Sequence, residues 1–359
     1  MPRWRSSSRP LLFVSVCLAG WNAPSGRADV FVSEINPSAG SYATNGRVMR
    51  YSDAGIPLAT FVTGLGNPSG MASDNTYLYV QGVDSALGAV VARYALSDGM
   101  PAGEIYVSGI AYGGLAIGPN GHLFVSQGAG TTFGIREYAA TAFQSIATPP
   151  IRTFDVGNQP AYMTFGSGAN ANLLYVTSDT FDDVHIYDTA GDTSTYQFTA
   201  TYVNHPRGLA FSPTDELFVA GNPFANPPIN TTYNGVLYRV GADKTPRPAW
   251  ASFIPALEGL TLGPDVAGQP ILTPQGVLRG PPDGRRDFLL AVAGDNGTYG
   301  HEVLIIDSST GASLGEFTTR DPTWIPQDVA YVAVPEPVGL MMIATTALLV
   351  LPRRRSRPE

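Results

Sequence analysis

One apolar phrase recurs along the chain, each recurrence holds four strand-like runs, and the two chain ends carry complementary partial units. These three observations predict an all-β fold: a six-bladed β-propeller whose ring is closed by both chain ends. Composition permits it. The 359 residues are 44% hydrophobic and 14% charged, with 40 Gly and 30 Pro. That suits a large core with frequent turns and few long helices.

The phrase is a Gly-containing apolar strand, a turn, and a second strand of the form Leu-aromatic-Val. It first reads Pro68-Ser69-Gly70-Met71-Ala72, then Tyr77-Leu78-Tyr79-Val80. It returns as Gly113-Gly114-Leu115-Ala116-Ile117 with His122-Leu123-Phe124-Val125, and as Pro160-Ala161-Tyr162-Met163-Thr164-Phe165 with Leu173-Leu174-Tyr175-Val176. The fourth copy is Pro206-Arg207-Gly208-Leu209-Ala210-Phe211 with Leu217-Phe218-Val219. The fifth is Glu258-Gly259-Leu260-Thr261-Leu262 with Phe288-Leu289-Leu290-Ala291-Val292. Corresponding positions Gly70, Gly114, Tyr162, Gly208 and Gly259 step by 44, 48, 46 and 51 residues.

Two further strand-like runs follow each phrase, such as Ala89–Tyr94 with Glu104–Val107, or Tyr196–Thr201 as the last run of its unit. Gly, Asn, Asp or Pro bound every run. Residues 29–33, 46–51 and 58–63 read as second, third and fourth strands without a first, and 326–332 as a first strand without followers. Joined, they make the sixth blade. Such closure removes sheet edges that would otherwise invite aggregation.

The ends read as addresses. Arg3, Arg5 and Arg9 precede an apolar run from Leu11 to Trp21, and small residues follow at Gly26 and Ala28. This pattern predicts a secretory signal helix over 1–28, cleaved after Ala28. The sole cysteine, Cys17, falls inside it, so the mature body, 29–333, is expected to hold no thiol. At the other end Pro335-Glu336-Pro337 leads into an uncharged apolar stretch, 338–351, and then Arg353-Arg354-Arg355. The stretch predicts a single transmembrane helix with the arginines on the cytoplasmic side. This ordered trio over 334–359 resembles the PEP-CTERM sorting signal. The resemblance implies anchoring in the inner membrane, processing by an exosortase-like enzyme, and delivery to the cell surface or extracellular matrix.

Between the Arg-rich ends, acids outnumber bases by about fifteen charges, a balance that repels nucleic acid. The phrases Asn67-Pro68-Ser69-Gly70-Met71-Ala72 and His205-Pro206-Arg207-Gly208-Leu209-Ala210 resemble NHL-type propellers and, more loosely, the regucalcin/gluconolactonase-like group. That group places a Glu, an Asn and an Asp near the starts of inner strands to bind a divalent metal, places that Glu258, Asn67 and Asp328 would fill here. A propeller of this type is also expected to gather ligands at the loops after its second strands. Glu34, Asp84, Gln127, Asp179, Asn222 and Asp295 lie there. Of these, Glu34, Asp179, Asn222 and Asp295 are the candidate oxygen ligands for a hard cation such as Ca²⁺. The same residue types also cap turns by bonding their own backbone.

No catalytic motif stands out. There is no Gly-x-Ser-x-Gly elbow, and Gly166-x-Gly168-x-x-Ala171 runs into a strand where a dinucleotide fingerprint needs a helix, so it reads as a turn. His122, His185, His205 and His301 lack metal-pair spacing and are expected in packing or surface roles. The expected function is that of an exported binding module engaging an exopolysaccharide or an envelope protein. The alternative is a metal-dependent lactonase or lyase acting in the propeller funnel.

Overall fold

The computed structural model describes residues 28–39, 45–52, 56–74, 76–107, 114–129, 132–155, 159–166, 168–178, 183–190, 206–212, 216–221, 235–241, 251–253, 257–263, 272–273, 276–277, 288–293, 302–317 and 323–333. The segments expected to form a signal helix and a transmembrane helix with a basic tail fall outside these residues, as does the run 196–201. Among the described residues no helix is long and apolar enough to cross a membrane. Their only helical turns are the short 3₁₀ segments Pro37–Ala39, Ala140–Gln144 and Gly168–Asn170. The last of these confirms a turn at the glycine-rich run.

Six antiparallel sheets follow one another along the chain. The first contains β1 (Ala28–Ile35), β2 (Gly46–Ser52) and β3 (Pro57–Thr63). The second contains β4 (Gly66–Ser73), β5 (Tyr77–Asp84), β6 (Gly88–Ala95) and β7 (Pro101–Tyr106). The third contains β8 (Leu115–Ile117), β9 (Leu123–Ala129), β10 (Thr132–Tyr138) and β11 (Arg152–Asp155). The fourth shows β12 (Pro160–Phe165), β13 (Leu173–Ser178) and β14 (Asp183–Asp188). The fifth holds β15 (Leu209–Phe211), β16 (Leu217–Gly221), β17 (Gly235–Val240) and β18 (Ala251–Phe253).

The sixth begins with β19 (Leu257–Gly263). A two-stranded hairpin of β20 (Leu272–Thr273) and β21 (Gly276–Val277), which the sequence pattern does not announce, then precedes β22 (Phe288–Ala293), β23 (Val303–Asp307) and β24 (Ser313–Phe317). The final strand, β25 (Ile325–Ala333), returns to the first sheet, whose order is β25-β1-β2-β3.

This is the predicted closure. Val32 pairs with Val329, and Phe31 with Ala330. The inner strands touch in the cyclic order β25, β4, β8, β12, β15, β19 and back to β25. The molecule is therefore an all-β, six-bladed ring.

A separate apolar cluster fills each gap between neighbouring blades. Strand β1 shows why the strands read as nearly continuous apolar runs. Phe31 packs toward the second blade, while Val30 and Val32 pack toward the sixth, so both faces of one strand are buried. At about 1.5–3 kcal/mol for each fully buried Val, Leu or Phe, the six clusters are the main source of stability. The phrase Leu-aromatic-Val supplies such residues to both faces of the second strands.

Candidate functional site

Six inner strands surround the axis, and their register aligns them. Met71, Leu115, Met163, Leu209, Leu260 and Val329 pair with Val80, Val125, Val176, Val219, Ala291 and Val32 of the second strands. The residues just before them form one level of the lumen: Gly70, Gly114, Tyr162, Gly208, Gly259 and Asp328. Four of the six have no side chain, which leaves room for the two that do.

Tyr162 and Asp328 close this level. Strand β12 lies three inner strands from β25 in either direction, hence on the opposite side of the ring. The Tyr162 hydroxyl nevertheless donates to the Gln327 carbonyl at 3.3 Å. Asp328, 6% exposed, accepts the Met71 N–H on Oδ2 at 2.8 Å and the Val329 N–H on Oδ1 at 2.9 Å, tying β25 to β4. On its other side stands Gly259, where a Cβ would come within 2.4 Å of Asp328 Oδ1. Only glycine fits there.

Second-strand side chains reinforce the level from behind. The positions are Ser33, Gln81, Ser126, Thr177, Ala220 and Val292, all 0% exposed. Gln81 Nε2 donates to the Ser126 carbonyl of the next blade at 3.4 Å, and the Ser126 hydroxyl donates to the Ala161 carbonyl of the blade after that at 3.3 Å. Thr177 Oγ1 accepts the Tyr162 N–H at 2.9 Å, holding the strut at its base. The fifth and sixth blades place the apolar Ala220 and Val292 there instead.

A cavity of about 310 Å³ lies along the axis. Its walls include Met71, Leu115, Met163, Leu209, Leu260 and Val329, with Ser73, Thr164, Thr261 and Tyr331 further along the same strands. Among the described residues none that precedes the Tyr162–Asp328 level in its strand lines the cavity, so its described lining ends at that level.

The loop site expected from the sequence belongs at the other end of the strands. Among the described residues Glu34 does not line the pit. Asp179, Asn222 and Asp295 lie outside the described residues. Glu34 is buried and ion-paired with Arg47 at 2.6 Å, and accepts the Tyr51 hydroxyl at 3.3 Å. Arg47 in turn lies 3.9 Å over the Trp324 ring. Asp84 caps a turn, accepting the Ala86 and Leu87 N–H groups at 2.8 and 2.9 Å. Gln127 is buried.

Of the inner-strand trio, Asn67 has a positive φ of 43° and donates its N–H to the Asn45 side-chain oxygen at 3.0 Å, at the irregularity between Gly66 and Gly70 in β4. The Glu258 side chain lies outside the described residues. Among those described, no three His, Cys, Asp or Glu side chains group as metal ligands would. His122 pairs with Glu137 at 2.7 Å and His185 with Asp183 at 2.6 Å. His205 and His301 lie outside the described residues.

The repeat aligns Tyr162 with four glycines. That departure, and Asp328 at the matching place in the closing strand, is the signal in the sequence from which the strut could have been found.

The fold and lumen define a class: a ring-closed, six-bladed β-propeller with an axial pit. Solved structures share the architecture. A chain from a nidogen/laminin complex matches with a TM-score of 0.57 at 11% identity, covering 85% of this chain and 98% of that one. A candidate 6-phosphogluconolactonase from Bacteroides fragilis matches at 0.50 and 13% identity, over 86% of this chain and 99% of that one. Another from Bacteroides uniformis matches at 0.50 and 12%, over 86% and 100%. At such identities the likeness is one of fold. No protein-family model matches the chain, and no curated protein does.

Proposed function

We propose that the chain is an exported propeller acting as a binding module at the cell surface or in the extracellular matrix. One observation carries the choice over a metal-dependent lactonase. Among the described residues the only acidic side chain lining the axial pit is Asp328, and both of its oxygens already accept backbone N–H bonds. The lactonase-like group that the sequence resembles holds its metal through a Glu, an Asn and an Asp together, and of Asn67 and Asp328 only Asp328 lines the pit. Fold likeness runs to a nidogen/laminin complex and to candidate lactonases alike, so it does not choose between the readings.

Export and sorting rest on the sequence: the Arg-led leader ending at Ala28, and Pro335-Glu336-Pro337 with its apolar stretch and arginines. The proposed partners are an exosortase-like processing enzyme and an exopolysaccharide or envelope protein. Two measurements test this. Mass spectrometry of the chain from an exosortase-bearing host is expected to show a mature N-terminus at Asp29 and a C-terminus near Pro335–Pro337. A screen of bacterial exopolysaccharides and envelope proteins is expected to find saturable binding, with lactone hydrolysis at background with or without Ca²⁺. Calcium-dependent turnover would reverse the reading.

A further inference from the structure

We propose that the axial pit binds a small organic cation, with an ammonium head against Asp328. The inference rests on reading the ring as a binding module, and adds the class of ligand.

The backbone sets the polarity of the pit near Asp328. Each inner strand ends its sheet, so the edge it turns toward the axis has no ladder partner. The Gly114 and Gly208 carbonyls accept the Ser126 and Ala220 N–H groups at 2.9 and 2.8 Å, so these glycines face their own second strands. In an antiparallel strand the next residue faces the other way. Leu115 and Leu209 therefore present N–H and C=O to the lumen while their side chains stay buried between blades. Met71 follows the same rule, since its N–H reaches Asp328 in place of β5. Asp328 takes up the N–H groups of Met71 and Val329, which shifts the balance at that level toward acceptors.

Charge acts in the same direction. Among the described residues Asp328 is the only acid on the lining, and no Lys, Arg or His lies there. A carboxylate in a recess creates a negative potential that water screens less than at an open surface. The acid-rich body has the same sign. Tyr162, Phe165 and Tyr331 are among the residues that border the pit. At about 310 Å³ the space sits at the small end of ligand pockets, excluding a peptide or an oligosaccharide. An ammonium group donates at ordinary hydrogen-bond distances to carbonyls and a carboxylate that keeps its backbone bonds.

The test is calorimetric titration of the purified exported chain with butylammonium chloride, 1-butanol, sodium butyrate and CaCl₂. Butylammonium is expected to bind saturably, with the alcohol and the carboxylate weaker by roughly tenfold or more. Asp328→Asn keeps the shape and one acceptor but drops the charge, and is expected to weaken butylammonium by roughly tenfold. Ser73→Trp, which fills the outer wall and leaves Asp328 in place, is expected to abolish binding in a chain with unchanged circular dichroism. Equal binding of butylammonium and butanol overturns the proposal, as does undiminished binding by folded Ser73→Trp, or Ca²⁺ binding that excludes the amine. If butylammonium fails while an exopolysaccharide or envelope protein still binds, the pit inference falls and the module reading stands.

Discussion

The Tyr162 hydroxyl donates to the Gln327 carbonyl at 3.3 Å, across the ring and 165 residues along the chain. A contact between opposite blades is possible only because Gly70, Gly114, Gly208 and Gly259 leave the lumen empty at that level. Tyr162→Phe keeps the ring and deletes the bond, so a loss of about 1 kcal/mol is expected. Tyr162→Gly, which matches the other four blades, should cost about 3–5 kcal/mol through lost packing. Urea midpoints at unchanged m-value measure both.

Asp328→Ala leaves the Met71 and Val329 N–H groups buried without the carboxylate that accepts them. The expected loss is about 2–5 kcal/mol. Asp328→Asn should lose less, because an amide oxygen still accepts one of them. The difference between the two variants in urea denaturation isolates the acceptor from the space it fills.

Two glycines should answer differently to alanine. At Gly259 the new methyl meets Asp328 Oδ1 at 2.4 Å and its Cα at 2.9 Å, and about 3 kcal/mol is expected to be lost to overpacking. At Gly121 the backbone has φ +76° but nothing lies within 4 Å, so only the left-handed conformation is penalised, by about 1 kcal/mol. A thermal melt of each variant decides. Equal losses would mean the Gly259 approach is soft.

Glu137 should govern part of the acid response. Burial works to raise its pKa, but hydrogen bonds from His122 and Arg152, the Arg152 charge and Asn120 outweigh it and hold the carboxyl below its ordinary 4.5. A lowered folded-state value means a contribution fully present above the unfolded pKa and lost as pH falls through the folded one. Glu137→Gln is therefore expected to be less stable than the parent at neutral pH. The deficit should be constant down to about pH 5 and shrink below the unfolded carboxylate value of about 4.3. Urea midpoints across that range provide the check.

The ring was legible in the sequence because its signals are local. Leu78, Leu123, Leu174 and Leu217 each open the same Leu-aromatic-Val triplet, and the unmatched runs at 29–33 and 326–332 imply one another. The pit was not legible, because neither its lining nor its direction is written in a strand pattern. Whether Asp328 points to a metal or to a backbone N–H depends on Met71, a residue 257 positions away in the chain. The loop carboxylates drew notice by residue type, yet Asp84 commits its oxygen to its own turn. Glu34 commits its charge to Arg47, a neighbour fixed only by the β1–β2 register.

The pairing of Ala28 with Ala333 has a mechanical consequence. Both termini leave the ladder from the same end, so a pull applied between them peels β1 from β25 one bond at a time instead of shearing all the bonds together. Heat must disrupt apolar gaps on both sides of that sheet, whereas tension needs to break only the outermost link to begin. A ring tethered by one terminus and tugged by the other would come apart at its clasp long before its blades unravelled.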